Sequence, residues 1–425
     1  MSGTDAAAQP SDRVRLPEKG RSWEALKDQL ESLGGDDVDW RHARTAVYVF
    51  NAGEDVLRVA KEAYALYQSE NALGPAAFPS LKRMESEIID MGLSLLNAPA
   101  DARGNLTSGG TESILMAVKA CRDQARAAGR DTRDAEIVIP RSAHPAFDKA
   151  ALYLGLKTVR VPVADDYGAD PEAMAAAVGP QTIMLVGSAP CFPYGVVDPI
   201  RSLSDIALER DLWLHVDACV GGYFAPFARM NGVELPDWDF AVEGVRSISA
   251  DLHKYGYAAK GASTVFHRSE SQWAHQIFTF DDWPAGGMMT PTYAGTRPGG
   301  AIAGAWAVMN YLGVQGYRDK VKTVTDTRAR LMKAIDEMDG LRTYGDPRLG
   351  LFIYGSEELD PFAIWAKLKA KGWFTGLTTE PRAIHLMLSP AHAEVADEYL
   401  SDLAQAVAEV RGGDGGGGDV RARYA

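Results

Sequence analysis

Between residues 100 and 270, short apolar runs alternate with amphipathic stretches. The runs are EIVIP (136–140), TVRVPV (158–163), TIMLVGS (182–188), LWLHVD (212–217), RSISA (246–250) and STVFH (263–267). Several are separated by stretches of helical spacing: TESILMAVKACRDQARAAG, AFDKAALYLG, PEAMAAAVG and PIRSLSDIALERD. Apolar strands that alternate with helices predict a mostly parallel α/β sheet covered by helices. Upstream, helical spacing runs from Trp23 to Leu33, through DVLRVAKEAYALYQSE (55–70) and through LKRMESEIIDMGLSLL (81–96). The last two are separated by NALGPAAFPS, a loop broken by Gly and Pro.

Downstream, the pattern predicts helices over Ala301–Leu312 and Tyr317–Met338. Two short strands (GLFIYG and AIHLMLS) and two further helices (361–372 and 395–411) then suggest a small α/β C-terminal domain. The expected division is an N-terminal arm and helices over 1–98, a large domain over 99–310, the small domain over 311–411 and a Gly-rich tail over 412–425. Residues 1 to 20 or so are polar and rich in Pro, Gly and charge, and read as a flexible arm, as does the tail.

With 425 residues, 46% of them hydrophobic, the chain has ample material for a large core. A net charge of −13 argues against nucleic acid or an anionic membrane surface as the main partner. Three cysteines without a CxxC spacing argue against a disulfide framework or a structural zinc, and favour a reducing, cytoplasmic setting. No apolar run is long enough for a transmembrane helix, and the N-terminus lacks a signal-peptide pattern, so no membrane anchor is expected. The histidines show no metal-ligand spacing, and no metal is expected.

Chemistry concentrates at the ends of the predicted strands. In SISADLHKYGYAAKG (247–261) an apolar run leads into Asp251, His253 and Lys254, with Lys260 beyond. A lysine just after a buried strand can be desolvated, which lowers its pKa and frees its amine for Schiff-base chemistry. A solvated surface lysine would carry the same local sequence. GNLTSGGTES (104–113) is a Gly-rich turn feeding a helix, neither a P-loop nor a dinucleotide fingerprint. Its backbone N–H groups, with the Ser108 and Thr111 hydroxyls, suit a phosphate held without metal, although a plain helix cap reads alike. Asp217 ends LHVDA and His144 follows EIVIP, both at strand carboxyl ends, where open α/β sheets bind ligands. Asp217 could hold a protonated ring nitrogen or cap a turn. His144 could stack on a ring, move protons or be structural.

The order of these elements resembles the fold-type I enzymes that use pyridoxal phosphate (PLP). GNLTSGGTESILMAVKACRD, AHPAFDKAALYLGLKTVRVPV, HVDACVGGYFAPF, SISADLHKYGYAAKG and PTYAGTRPGGAIAGAWAVM narrow it. They resemble the group II PLP-dependent decarboxylase family, in particular its sphingosine-1-phosphate lyase branch of soluble bacterial type. The resemblance implies the PLP-dependent transferase fold and roles for particular residues. Lys254 would carry PLP and Asp217 would pair with the ring nitrogen. His144 would stack on the ring. Gly110, Thr111 and His253 would contact the phosphate. Thr296 would reach the cofactor of a partner subunit in a homodimer whose active site lies at the interface. Tyr48 and Lys260 match residues implicated in the lyase chemistry. The implied activity is carbon–carbon cleavage of a 2-amino-alcohol, with a small-molecule amine as substrate; amino-acid decarboxylation is the alternative. Two departures bear on the substrate. Gly74 stands where the family carries a histidine, and Met289 stands where it carries a tyrosine.

Overall fold

A computed structural model describes residues 13–413 and Ala422. Most of the expected N-terminal arm and nearly all of the Gly-rich tail therefore lie outside the described residues. The chain divides into two units, residues 1–39 and 40–425. In the first, helix α1 (Trp23–Leu33) begins at Ser22, whose hydroxyl accepts from Ala25 N. That bond satisfies one of the orphan donors of the first turn.

The second unit opens with α2 (Glu54–Leu66) and α3 (Pro79–Leu95). There follow β1 (Arg103–Thr107), α4 (Gly110–Ala127), β2 (Glu136–Pro140), α5 (Ala146–Leu154), β3 (Lys157–Val161), α6 (Pro171–Ala177) and β4 (Thr182–Ser188). The chain continues through α7 (Ile200–Glu209), β5 (Trp213–Asp217), α8 (Ala225–Met230), β6 (Val245–Ala250), β7 (Ser263–His267) and α9 (Glu270–Ala274). A small hairpin, β8 (Phe278–Phe280) and β9 (Met288–Thr290), precedes the long α10 (Gly299–Asp336). The C-terminal part holds β10 (Arg342–Tyr344), β11 (Leu351–Gly355), α11 (Pro361–Ala370), β12 (Gly376–Thr379), β13 (Arg382–Met387) and α12 (His392–Arg411).

Seven strands form one sheet in the order β1-β7-β6-β5-β4-β2-β3. The pairs from β6 through β3 are parallel, whereas β7 is antiparallel to both β6 and β1. Two reversals restore the direction of β1, so the carboxyl ends of β1, β2, β5 and β6 open on the same edge. This is the edge where open α/β sheets place ligands. Both faces are covered. Ile137, Ile139 and Met184 pack with Ile114 and Val118 of α4, while Val138, Leu185, Leu214 and Ile248 face a second apolar cluster. Alternate residues along each strand thus serve opposite faces of a doubly covered sheet.

The C-terminal sheet is antiparallel in the order β10-β11-β13-β12. The two helices expected over 301–312 and 317–338 are found, running together as α10 across a kink at Gly313, where φ is 55°. Strands β1, β10 and β12 and the β8–β9 hairpin were not expected from the pattern.

Candidate active site

The Gly-rich turn joins β1 to α4. Gly109 and Gly110 begin the helix, and the geometry demands glycine at the second. A Cβ on Gly110 would lie 2.7 Å from Cys219 Sγ and 3.0 Å from Asp251 Oδ2. Ser108 is turned toward Glu112, which accepts from Ser108 N (2.7 Å) and Ser108 Oγ (2.5 Å). The other Glu112 oxygen accepts from Tyr293 N at 2.9 Å, so this carboxylate ties the turn to the 290–297 loop. Thr111 is exposed in the first turn of α4.

Asp217 is buried at the end of β5. Its Oδ1 accepts from Cys219 N (3.0 Å) and Ser249 Oγ (3.3 Å), and its Oδ2 has no protein hydrogen bond among the described residues. Behind it, His215 bridges Ser247 (2.7 Å) and Ser249 (3.2 Å). Burial lowers the His215 pKa to about 4, so the bridge is neutral. His144 follows β2, and its Nδ1 accepts from Ala146 N at 3.1 Å. Burial lowers its pKa, partly offset by the Asp217 carboxylate.

Lys254 and His253 follow β6. Lys254 Nζ lies 3.1 Å from Asp251 Oδ2, and His253 Nε2 lies 3.6 Å from the same oxygen. Burial alone would raise the Asp251 pKa. The Lys254 ammonium, His253 and the Ser263 hydroxyl outweigh it and hold the carboxyl well below the usual range. His253 Nδ1 is buried without a hydrogen-bond partner among the described residues. Lys260 is open to water at one side, but its ammonium donates to His253 O at 3.1 Å and lies 5.4 Å from the Phe50 ring. Burial, then the Lys254 charge, lowers its pKa to about 8, against the pull of Asp251.

Tyr48 and His144 line one cavity of about 600 Å³, with Phe192, Tyr194, Leu377 and His385 among its other walls. Tyr48 is a non-glycine residue at φ 65°, a conformation that costs of the order of 1–3 kcal/mol and must be held by its surroundings. Bonds from Ala46 N to Phe374 O and from Met387 N to Ala46 O tie its segment to the C-terminal part. Thr296 belongs to the loop that Tyr293 N ties to Glu112. It is exposed, and its hydroxyl accepts from Asn71 Nδ2 at 3.2 Å, in the loop that also carries Gly74. Sequence reasoning gave no role at the site to Glu112, Ser249, His215 or Ser263, the hydroxyl partner of Asp251. Their signal was only an acidic residue in a first helical turn and serines in apolar strands.

The residues fit PLP. A tight glycine cradle at a helix N-terminus and an orphaned, buried imidazole nitrogen suit its phosphate. The open oxygen of buried Asp217 suits a protonated ring nitrogen, and Lys254 suits an aldehyde.

Fold and site together define a PLP-dependent enzyme of fold type I. In the comparison of folds, a glutamate decarboxylase of Lactobacillus brevis superposes with a TM-score of 0.82 at 21% identity, over 94% of this chain and 95% of that one. The chain belongs to the pyridoxal-dependent decarboxylase family, whose conserved-domain model matches residues 7–353. It is an enzyme of the lyase class, and its cofactor is PLP. A sphingosine-1-phosphate lyase of Oryza sativa subsp. japonica is 38% identical over 411 residues, covering 95% of this chain and 76% of that protein. The sphingosine-1-phosphate lyase Bpss2021 of Burkholderia pseudomallei K96243 superposes with a TM-score of 0.91 at 36% identity, covering 95% of this chain and 94% of that one. Among the described residues, no helix is long and apolar enough to cross a membrane.

Proposed function

We propose that this enzyme cleaves the Cα–Cβ bond of a phosphorylated 2-amino-alcohol such as sphingosine 1-phosphate, releasing an aldehyde and an amine. The observation that carries the reading is likeness over nearly the whole chain to proteins named for that cleavage. Lys254 would hold PLP, with Asp217 at the ring nitrogen and His144 against the ring. Gly110, Thr111 and His253 would hold the phosphate, and Ser108 would support the turn through Glu112. Bound there, PLP supplies an electron sink for the pair released by the breaking bond. Lys260, or Tyr48 from the cavity wall, takes the proton of the substrate hydroxyl as that oxygen becomes the aldehyde carbonyl. Neutral Lys260 is the better acceptor, because its lowered pKa puts a free amine within reach near neutral pH.

The enzyme acts as a homodimer in the cytoplasm, with Thr296 serving the partner's cofactor. The exposure of Thr296 supports that role. Decarboxylation of an amino acid is the second reading, favoured by Gly74. That position is open, with only Ala77 Cβ among the described residues within reach of a Cβ there (3.8 Å), so crowding does not explain why it lacks the histidine that the resemblance implies. The test is aldehyde and CO₂ release by the PLP-loaded protein from sphingosine 1-phosphate and from a panel of amino acids. Aldehyde from the phosphorylated base is the expected result. CO₂ without aldehyde would transfer the proposal to decarboxylation, and neither product would remove both.

A further inference from the structure

The roles above leave Asp251 unexplained. It is buried to 3% exposure, with Lys254 Nζ at 3.1 Å and His253 Nε2 at 3.6 Å from one oxygen. Its other oxygen accepts from Ser263 Oγ at 2.5 Å. Ser263 Oγ lies 2.8 Å from Ser113 Oγ, which lies 2.6 Å from Thr107 Oγ1. Strands β1 and β7 set Thr107 directly opposite Ser263, and α4 lays Ser113 between them. Three elements thus each contribute one hydroxyl to a buried chain ending on this carboxylate. A carboxylate so desolvated needs an oriented donor on one oxygen and a cation on the other, and both are present.

We propose that Asp251 is a positioning residue: it docks the Lys254 ammonium whenever that lysine is not bonded to the cofactor, and the Thr107–Ser113–Ser263 hydroxyls hold it in place for this. The idea rests on the reading of Lys254 as the cofactor lysine. The other groups facing the pair are His253 and Lys260 from the same loop, Asp217 and Cys219 from the end of β5, His144 from the β2–α5 junction and Tyr223 before α8. Only the neutral amine can bond. The Lys254 ammonium would first give one proton to water, and the resulting amine would supply the nitrogen of a C=N bond in place of the aldehyde C=O, whose oxygen would leave as water with the amine's two remaining hydrogens. Asp251 opposes the loss of that proton. When the substrate amine displaces the lysine, the same carboxylate receives the ammonium beside the reacting carbon.

The test uses the apoprotein and needs no turnover. Lys254 is acetylated competitively with acetic anhydride at graded pH and quantified by peptide mass spectrometry, with the other lysines as internal reference. Removing a facing carboxylate disfavours the ammonium. In Asp251→Asn the Lys254 profile should therefore move down by about one pH unit or more, with labelling about tenfold faster at pH 7. Ser263→Ala should move it the same way by less. An unmoved profile in a folded Asp251→Asn protein overturns the proposal. Should that variant fail to fold, an unmoved profile in Ser263→Ala does so. Lys254→Ala protein that still binds PLP covalently, shown by borohydride fixation, would instead remove the reading of Lys254 and leave the labelling result standing.

Discussion

Lys260 offers the sharpest quantitative test of the proposed chemistry. Its ordinary pKa of 10.5 would leave roughly 0.03% of the amine neutral at pH 7. Burial against His253 O and Phe50, with the Lys254 charge nearby, lowers that value to about 8. About one tenth of the amine is then neutral at pH 7, half at pH 8 and nine tenths at pH 9. The site therefore raises the neutral fraction at pH 7 by roughly 300-fold. A base acts in its neutral form, so kcat/KM for aldehyde release should climb about tenfold between pH 7 and 9 and then level off. It should fall with acid as Lys260 takes up a proton. The assay is the aldehyde-forming rate from about pH 6 to about pH 10 at constant ionic strength, on wild-type, Lys260→Ala and Phe50→Ala enzymes. Phe50→Ala admits water to the ammonium and should shift the rising limb to higher pH. Lys260→Ala should lose the limb together with most of the rate. A limb of unchanged midpoint in Lys260→Ala would refute the assignment and leave Tyr48 as the proton acceptor.

Two further outcomes are expected. Gly110→Ala drives a methyl to within 2.7 Å of Cys219 Sγ and against the Asp251 carboxylate, and neither neighbour is a flexible chain end. Overpacking of this kind costs about 1–3 kcal/mol. The variant should melt several degrees lower and retain PLP more weakly on dialysis, and wild-type retention would count against the cradle. Separately, burial lowers His215, His267 and His385 from 6.5 to about 4. Between those values the unfolded chain binds more protons than the folded one, so stability is full above pH 6.5 and falls toward pH 4. Each histidine should remove about 2 kcal/mol at pH 5 relative to pH 7, measured by urea unfolding. A flat profile over that interval would show that these rings titrate in the folded state.

Much of this architecture was legible because its residues carry period and chemistry together. EIVIP and TIMLVGS carry unbroken apolar centres (Ile137–Ile139 and Ile183–Val186), as strands of a doubly covered sheet do, and they form β2 and β4 within the residues expected. Strand β1 escaped notice because RGNLT is polar, contains glycine and runs straight into the Gly-rich turn. Its place is decided by pairing with β7, a partner more than 150 residues away, and no local pattern reports such a partner. The β8–β9 hairpin is short and mostly exposed, so it lacks the buried alternation that marks a strand. The two helices expected from 301 and from 317 were legible for a different reason: the pattern breaks at the residues around Gly313, and there the chain is kinked, with a φ of 55°.

The site divides along the same line. Lys254, Asp217 and His144 declare themselves because each is a chemically distinct group at the end of a recognisable apolar run. The hydroxyls around Asp251 do not, because serine and threonine in a strand are usually neutral occupants of a pleated surface. Their meaning depends on register. The β1–β7 pairing sets Thr107 opposite Ser263, and a slip of one residue would turn the Ser263 side chain to the other face of the sheet. The antiparallel β7, an apparent departure from a parallel sheet, is therefore what makes the lysine's environment possible. It lets β1 bring the Gly-rich turn to the same edge as β6, and it supplies the hydroxyl that meets the carboxylate facing Lys254.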